Sequence, residues 1–267
     1  MKFDILKFFA IIVVVLSFSG CTTLEKFRYN VITVIGIDKT GSFIRKGEEN
    51  KKQLIGKIVY QIVKEKAELQ KKDKTGGLRK VLGGIGKFER VIICPISFRG
   101  PGGIKLFLIF DDDPLFISKT SAFVSPQRVK NLIFPKRENP HSRTDFLQFF
   151  DELKSIYGNI ERIRVNYILI TDGLPDPTGA EKRYSEEITS QQLINTYGNE
   201  YIKKMDKILP ENIKIMFIGV DANILEFWNY VTNNIKKNRR IKIQLVASSL
   251  EQMSEKKIRE IVNPYSW

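Results

Sequence analysis

Apolar and polar positions follow two rhythms along the chain. Short runs rich in Val, Ile and Phe recur at Val31–Ile37, Arg90–Phe98, Ile104–Phe110, Arg164–Ile170, Ile213–Val220 and Ile241–Ala247. Runs that are apolar at successive positions predict strands covered on both faces, as in a parallel sheet. Between them apolar residues return every three or four positions. Leu54, Ile55, Ile58, Val59, Ile62, Val63, Ala67 and Leu69 form one such stripe, which Lys71–Gly77 is expected to end. Further helices are predicted at Phe146–Leu153, at Ile188–Ile208 with an interruption near Gly198, at Ala222–Asn234 and at Leu250–Val262.

The order of elements sets the fold class. Strands alternate with helices except at Arg99-Gly100-Pro101-Gly102-Gly103, a turn too short for a crossover. The strand after that turn, Ile104–Phe110, is therefore expected antiparallel to the one before it. The expectation is an α/β fold: a doubly wound, mostly parallel sheet with one antiparallel edge strand. Pro114–Pro140 is the least regular region, read as a surface loop with a short helix near Gln127–Leu132. Gly83, Gly84 and Gly86 lack the Lys-Ser/Thr that completes a phosphate loop, so they read as a connector. Asp111-Asp112-Asp113 lacks the further spaced ligands of a calcium loop and reads as a solvated strand end.

Composition narrows the setting. The 267 residues carry a formal net charge of +14, dispersed through helices and loops rather than gathered in a tail. Solvated surface is the plain reading, and an acidic protein partner the functional one. Aromatic and basic residues interleave around Phe116, Phe123 and Phe134, but no nucleic acid is expected for an exported protein. Export is read from the first residues. Lys2 and Lys7 precede an apolar stretch, Phe8–Phe18, which small residues and Cys21 follow. That is a signal peptide, with a core too short for a transmembrane helix of about 20 residues. Cys94 is the only other cysteine and His141 the only histidine, which excludes a disulfide scaffold and argues against a zinc site.

Phe18-Ser19-Gly20-Cys21 resembles the lipobox of bacterial lipoproteins, with Phe18 where Leu is usual. The resemblance implies cleavage before Cys21, lipidation of Cys21 and attachment to a membrane of the cell envelope. Thr22 in place of Asp would favour the outer membrane in a diderm bacterium. The expected division is a signal peptide over residues 1–20, a linker over 21–29 and one domain over 30–267.

Candidate chemistry gathers after the first strand. Asp38, Thr40 and Ser42 stand at alternate positions in Asp38-Lys39-Thr40-Gly41-Ser42. A carboxylate and two hydroxyls suit Mg²⁺ or Mn²⁺; the same residues also suit a capped strand-to-helix turn. Thr144 before the Phe146 helix and Asp172 after the Arg164–Ile170 strand fall on the same predicted sheet edge. With those positions in place, the chain resembles the von Willebrand factor type A domain from about Tyr29 to Val262. Its metal-ion-dependent adhesion site uses Asp-x-Ser-x-Ser, a Thr and an Asp before Gly. The resemblance implies a Rossmann-like fold and Mg²⁺ or Mn²⁺ held by Asp38, Thr40, Ser42, Thr144 and Asp172. It further implies binding of an exposed Asp or Glu of a partner protein rather than catalysis. Two positions depart from the pattern: Thr40 replaces Ser, and Arg143 precedes Thr144 where Gly is usual. A guanidinium aimed at the site would oppose a divalent ion.

Two other readings compete. A vestigial, metal-free site on the same scaffold is one. A phosphate-handling enzyme is the other, because Gly36-Ile37-Asp38 faintly resembles the phosphate loop of sugar kinases and actin-like ATPases. No second phosphate loop is evident, and Thr40 stands where an aspartyl-phosphate enzyme would carry a second Asp.

Overall fold

A computed structural model of the chain describes residues 30–40, 43–44, 48–75, 89–98, 108–110, 125–135, 143–157, 163–175, 188–235 and 240–262. The expected signal peptide, Cys21, the linker, Ser42, the Gly83–Gly86 connector, Asp111–Asp113 and His141 lie outside these residues.

Five strands run parallel: β1 (Asn30–Ile37), β2 (Glu89–Pro95), β6 (Ile163–Ile170), β7 (Asn212–Ile218) and β8 (Arg240–Ala247). Their order across the sheet is β2-β1-β6-β7-β8. Of the expected strand Ile104–Phe110, the described residues carry only β4 (Leu108–Phe110), three residues antiparallel to β2. The stretch expected as one strand to Phe98 divides in two. Pro95 is the last β2 residue paired with β1, and β3 (Ser97–Phe98) leaves to pair with β5 (Arg143–Thr144). The Ile96 N–H still bonds Ile37 O at 3.0 Å, and the strand turns away after it.

Helices cover both faces. Ile35, Ile37, Val91, Ile93, Ile168, Ile170, Met216 and Ile218 form one core with α1 (Glu49–Thr75), α2 (Pro126–Ile133) and α7 (Glu255–Val262). Ile32, Val34, Ile92, Cys94, Tyr167, Leu169, Ile215 and Phe217 form the other. There they meet α3 (Phe146–Tyr157), α4 (Ser190–Leu193), α5 (Asn199–Ile208) and α6 (Ala222–Asn233). Trp228 of α6 lies at the centre of this second core. Its ring centroid is 4.8 Å from that of Phe146, 5.3 Å from Phe217 and 5.7 Å from Tyr201.

Two helix boundaries, at the end of the first helix and the start of the last, differ from the pattern-based expectation, and the interruption expected near Gly198 takes a definite form. The first helix runs through Lys71–Thr75, since Lys and Asp are tolerated in helices and glycine begins only at Gly76. The interruption expected near Gly198 is a π-helical turn, Ile194–Gly198, between α4 and α5. A side chain at Gly198 would meet Tyr230 Cε1 at 3.1 Å, so close approach of α6 favours glycine there. The final helix begins at Glu255, where the Ser254 hydroxyl accepts the Lys257 N–H; a separate 3-10 turn holds Leu250–Gln252.

Candidate functional site

β1 lies between β2 and β6, so successive connections leave it toward opposite sides of the sheet. The carboxyl ends of β1 and β6 therefore flank the topological switch point, where open α/β sheets bind ligands. Ile37 pairs with Ile170 in the last register position. The Asp38 N–H extends the ladder by one bond, to Ile170 O at 2.9 Å, and delivers a fully buried carboxylate to the end of the strand.

Four groups from three chain segments converge on that carboxylate. The Thr40 N–H and Thr40 Oγ1 donate to Asp38 Oδ1, at 2.9 and 2.7 Å. Thr171 Oγ1 donates to Asp38 Oδ2 at 2.9 Å, and Thr144 Oγ1 lies 3.2 Å from the same oxygen. Thr144 is placed by the short β3–β5 ladder, in which it faces Ser97. That ladder is fastened to the sheet by Ile96 N–H to Ile37 O, 3.0 Å. Thr171 is placed by its own N–H, which bonds Ile218 O of β7 at 3.1 Å. Burial pushes the Asp38 carboxyl above the usual aspartate range; hydrogen bonds from Thr40, Thr171 and Thr144 pull in the opposite direction.

Asp38, Thr40 and Thr144 thus come together at the end of the sheet. Asp172 does not share the Asp38 hydrogen bonds. It is half-buried on the next loop, and its Oδ1 accepts the Leu174 N–H at 3.1 Å. Ser42 is not described, and the Arg143 backbone pairs with Phe98. Thr171 is the addition that pattern reading missed. Its signal was present: a hydroxyl at the first position after a buried strand, one residue before Asp172.

The donor set fits a hard divalent cation. Asp38 is wholly removed from water, yet among the described residues its carboxylate is bonded only by neutral hydroxyls and one amide. A buried anion without a cation is costly, and an oxygen-ligated ion relieves that cost. A hydroxyl that gives its proton to a carboxylate keeps lone pairs for a metal. Among the described residues no three His, Cys, Asp or Glu side chains gather.

No family model matches the chain. No curated protein matches it in sequence either. Its fold is similar to that of the minor pilin PilB from Streptococcus sanguinis, at 13% identity and a TM-score of 0.49, over 88% of this chain and 60% of that one. It is also similar to the pilus adhesin SpaC from Lactobacillus rhamnosus GG, at 11% identity and a TM-score of 0.46, over 89% of this chain and 30% of that one. A third similar structure is an aerotolerance-related membrane protein from Bacteroides fragilis, at 10% identity and a TM-score of 0.40, over 88% of this chain and 99% of that one. Among the described residues no helix is long and apolar enough to cross a membrane.

Proposed function

We propose that the chain is a divalent-metal-dependent protein-binding module of the von Willebrand factor A type, which takes an acidic side chain of its partner. The observation that carries this reading is the fully buried Asp38 carboxylate, met by three threonine hydroxyls and an amide at the switch point of the sheet. Asp38, Thr40 and Thr144 would hold Mg²⁺ or Mn²⁺, with Ser42 and Asp172 completing the set directly or through water. When bound, the ion supplies the positive charge that a partner carboxylate requires. The chain's own part is to orient hard oxygen donors and to keep a buried negative charge in place. Only two carboxylates belong to the proposed set, so a dication keeps charge available for an acidic partner. The net charge of +14 would favour encounter with such a partner.

Pull-downs of the purified protein from envelope extracts, in Mg²⁺ and in chelator, test this. The expected result is a partner retained only with metal, and lost with Asp38→Ala. Equal capture in chelator would overturn it. A metal-free scaffold is the second reading, favoured by the fact that Asp38 already has four hydrogen bonds without an ion. Calorimetry with Mn²⁺ separates the two, since only the first gives saturable binding. Attachment to the envelope through Cys21 belongs to the same proposal, and fatty-acid labelling that Cys21→Ser abolishes is its expected signature. Outer-membrane placement in a diderm bacterium is the finer expectation, read by membrane fractionation. No turnover is proposed.

A further inference from the structure

Thr171 stands apart from the other two threonines on Asp38. Its hydroxyl is engaged on both sides: it donates to Asp38 Oδ2 at 2.9 Å and accepts the Gly173 N–H at 3.0 Å. Thr40 Oγ1 and Thr144 Oγ1 instead face one another across 3.4 Å, each also bonded to the carboxylate. Gly173 in turn accepts the Trp228 indole N–H on its carbonyl, at 3.0 Å. One line of hydrogen-bonded groups therefore runs from Asp38 through Thr171 and Gly173 to the core of α6.

That line has little room to relax. Gly173 has φ +78°, and a Cβ there would meet Val220 Cγ2 at 2.9 Å and Ile224 Cγ2 at 3.2 Å. Thr171 and Trp228 are both fully buried. A shift of the carboxylate must therefore be taken up by Gly173 and felt at the indole.

We infer that Thr171 is a positioning residue: it fixes the Asp38 carboxylate for the cation, and links its state to Trp228. The inference rests on the metal reading above for what Asp38 is held to do. Thr171 acts through Asp38: its proton goes to Asp38 Oδ2, and one of its two lone pairs is taken by the Gly173 amide. Partners that orient a metal ligand are worth about 10–100-fold in metal affinity when removed.

The test uses a Trp267→Phe background, in which Trp228 is the remaining one of the two tryptophans. Thr171→Val removes the hydroxyl at nearly constant shape; Thr171→Ser keeps it. Free Mn²⁺ is read by electron paramagnetic resonance, and Trp228 emission is read during a Mg²⁺ titration. The expected result is a Thr171→Val protein that folds, binds Mn²⁺ about 10–100-fold more weakly and shows no metal-induced change in emission. Thr171→Ser should restore both. Equal affinity and an equal emission change in Thr171→Val would overturn the inference. A parent protein that binds no Mn²⁺ fails the metal reading alone. The positioning role is then decided in metal-free protein, where Thr171→Val should lower Tm and Thr171→Ser should not. Equal Tm values for the two variants would overturn it.

Discussion

Two buried polar groupings occur in the same sheet, and they are built differently. At the carboxyl end, the Asp38 carboxyl is ionisable, fully buried and bonded by Thr40, Thr144 and Thr171. In mid-strand, Thr33 of β1 pairs in register with Asn166 of β6, beside Lys214 of β7. Thr33 Oγ1 and Asn166 Oδ1 are buried, and neither has a hydrogen-bond partner among the described residues. An unsatisfied buried polar atom costs about 1–3 kcal/mol. A neutral hydroxyl or amide can be carried at that cost in a large core, whereas an unsatisfied carboxylate could not. Burial of polar residues therefore does not by itself mark a site. What marks one is the convergence of donors from separate segments on a single charge.

Asp38→Asn should break this comparison most severely, because it removes the charge and leaves the shape. Mn²⁺ binding should fall by at least about 100-fold, since a metal-facing carboxylate is lost where its charge is least screened. Stability in chelator should behave differently. The folded Asp38 carboxyl titrates above its unfolded range because burial disfavours the charged form. The folded state then holds its proton where the unfolded state has released it. Stability from this group is accordingly greatest below the ordinary aspartate range. It declines as pH rises from there to the folded value. Asp38→Asn should lack that decline, so its urea midpoint in chelator should fall less with rising pH than that of the unaltered protein. The same pH slope in both would mean that the Asp38 carboxyl ionises in the folded state where it does in the unfolded one, so that burial imposes no cost on its charge.

The contrast between the two groupings also explains what could be read in advance. Strand runs such as Ile32-Thr33-Val34-Ile35 and Tyr167-Ile168-Leu169-Ile170 announce themselves, because burial on both faces demands apolar residues at successive positions. Asp38 was legible because it follows such a run with an oxygen donor at a predicted sheet edge, and Thr144 because it precedes the Phe146 helix at the same predicted edge. Thr171 was not selected, because a single Thr after a strand is also ordinary turn chemistry. Its role depends on β6 lying beside β1, a long-range pairing that local pattern does not encode. The β3–β5 ladder is two residues long, too short to have a period, although it is what delivers Thr144. Thr33 and Asn166 could not be distinguished from site residues by type or burial. Only the absence of a convergent partner separates them.

Two matched substitutions sharpen that separation, since both exchange a buried threonine for valine. Thr144→Val removes a donor from Asp38 and leaves a charged oxygen less satisfied. It should cost about 1–2 kcal/mol in urea unfolding and weaken Mn²⁺ binding. Thr33→Val should have the smaller and opposite effect. Thr33 is 1% exposed, its hydroxyl is unpartnered, and its strand neighbours Ile32 and Val34 are themselves β-branched. Valine keeps the shape and the strand preference while removing the group that nothing bonds. A gain of about 1 kcal/mol is expected, with Mn²⁺ binding unchanged. If Thr33→Val instead destabilises the protein as much as Thr144→Val does, the mid-strand hydroxyl has a bonding partner such as a buried water. The two groupings would then differ in charge alone, and satisfaction of polar atoms would no longer tell a site from a core.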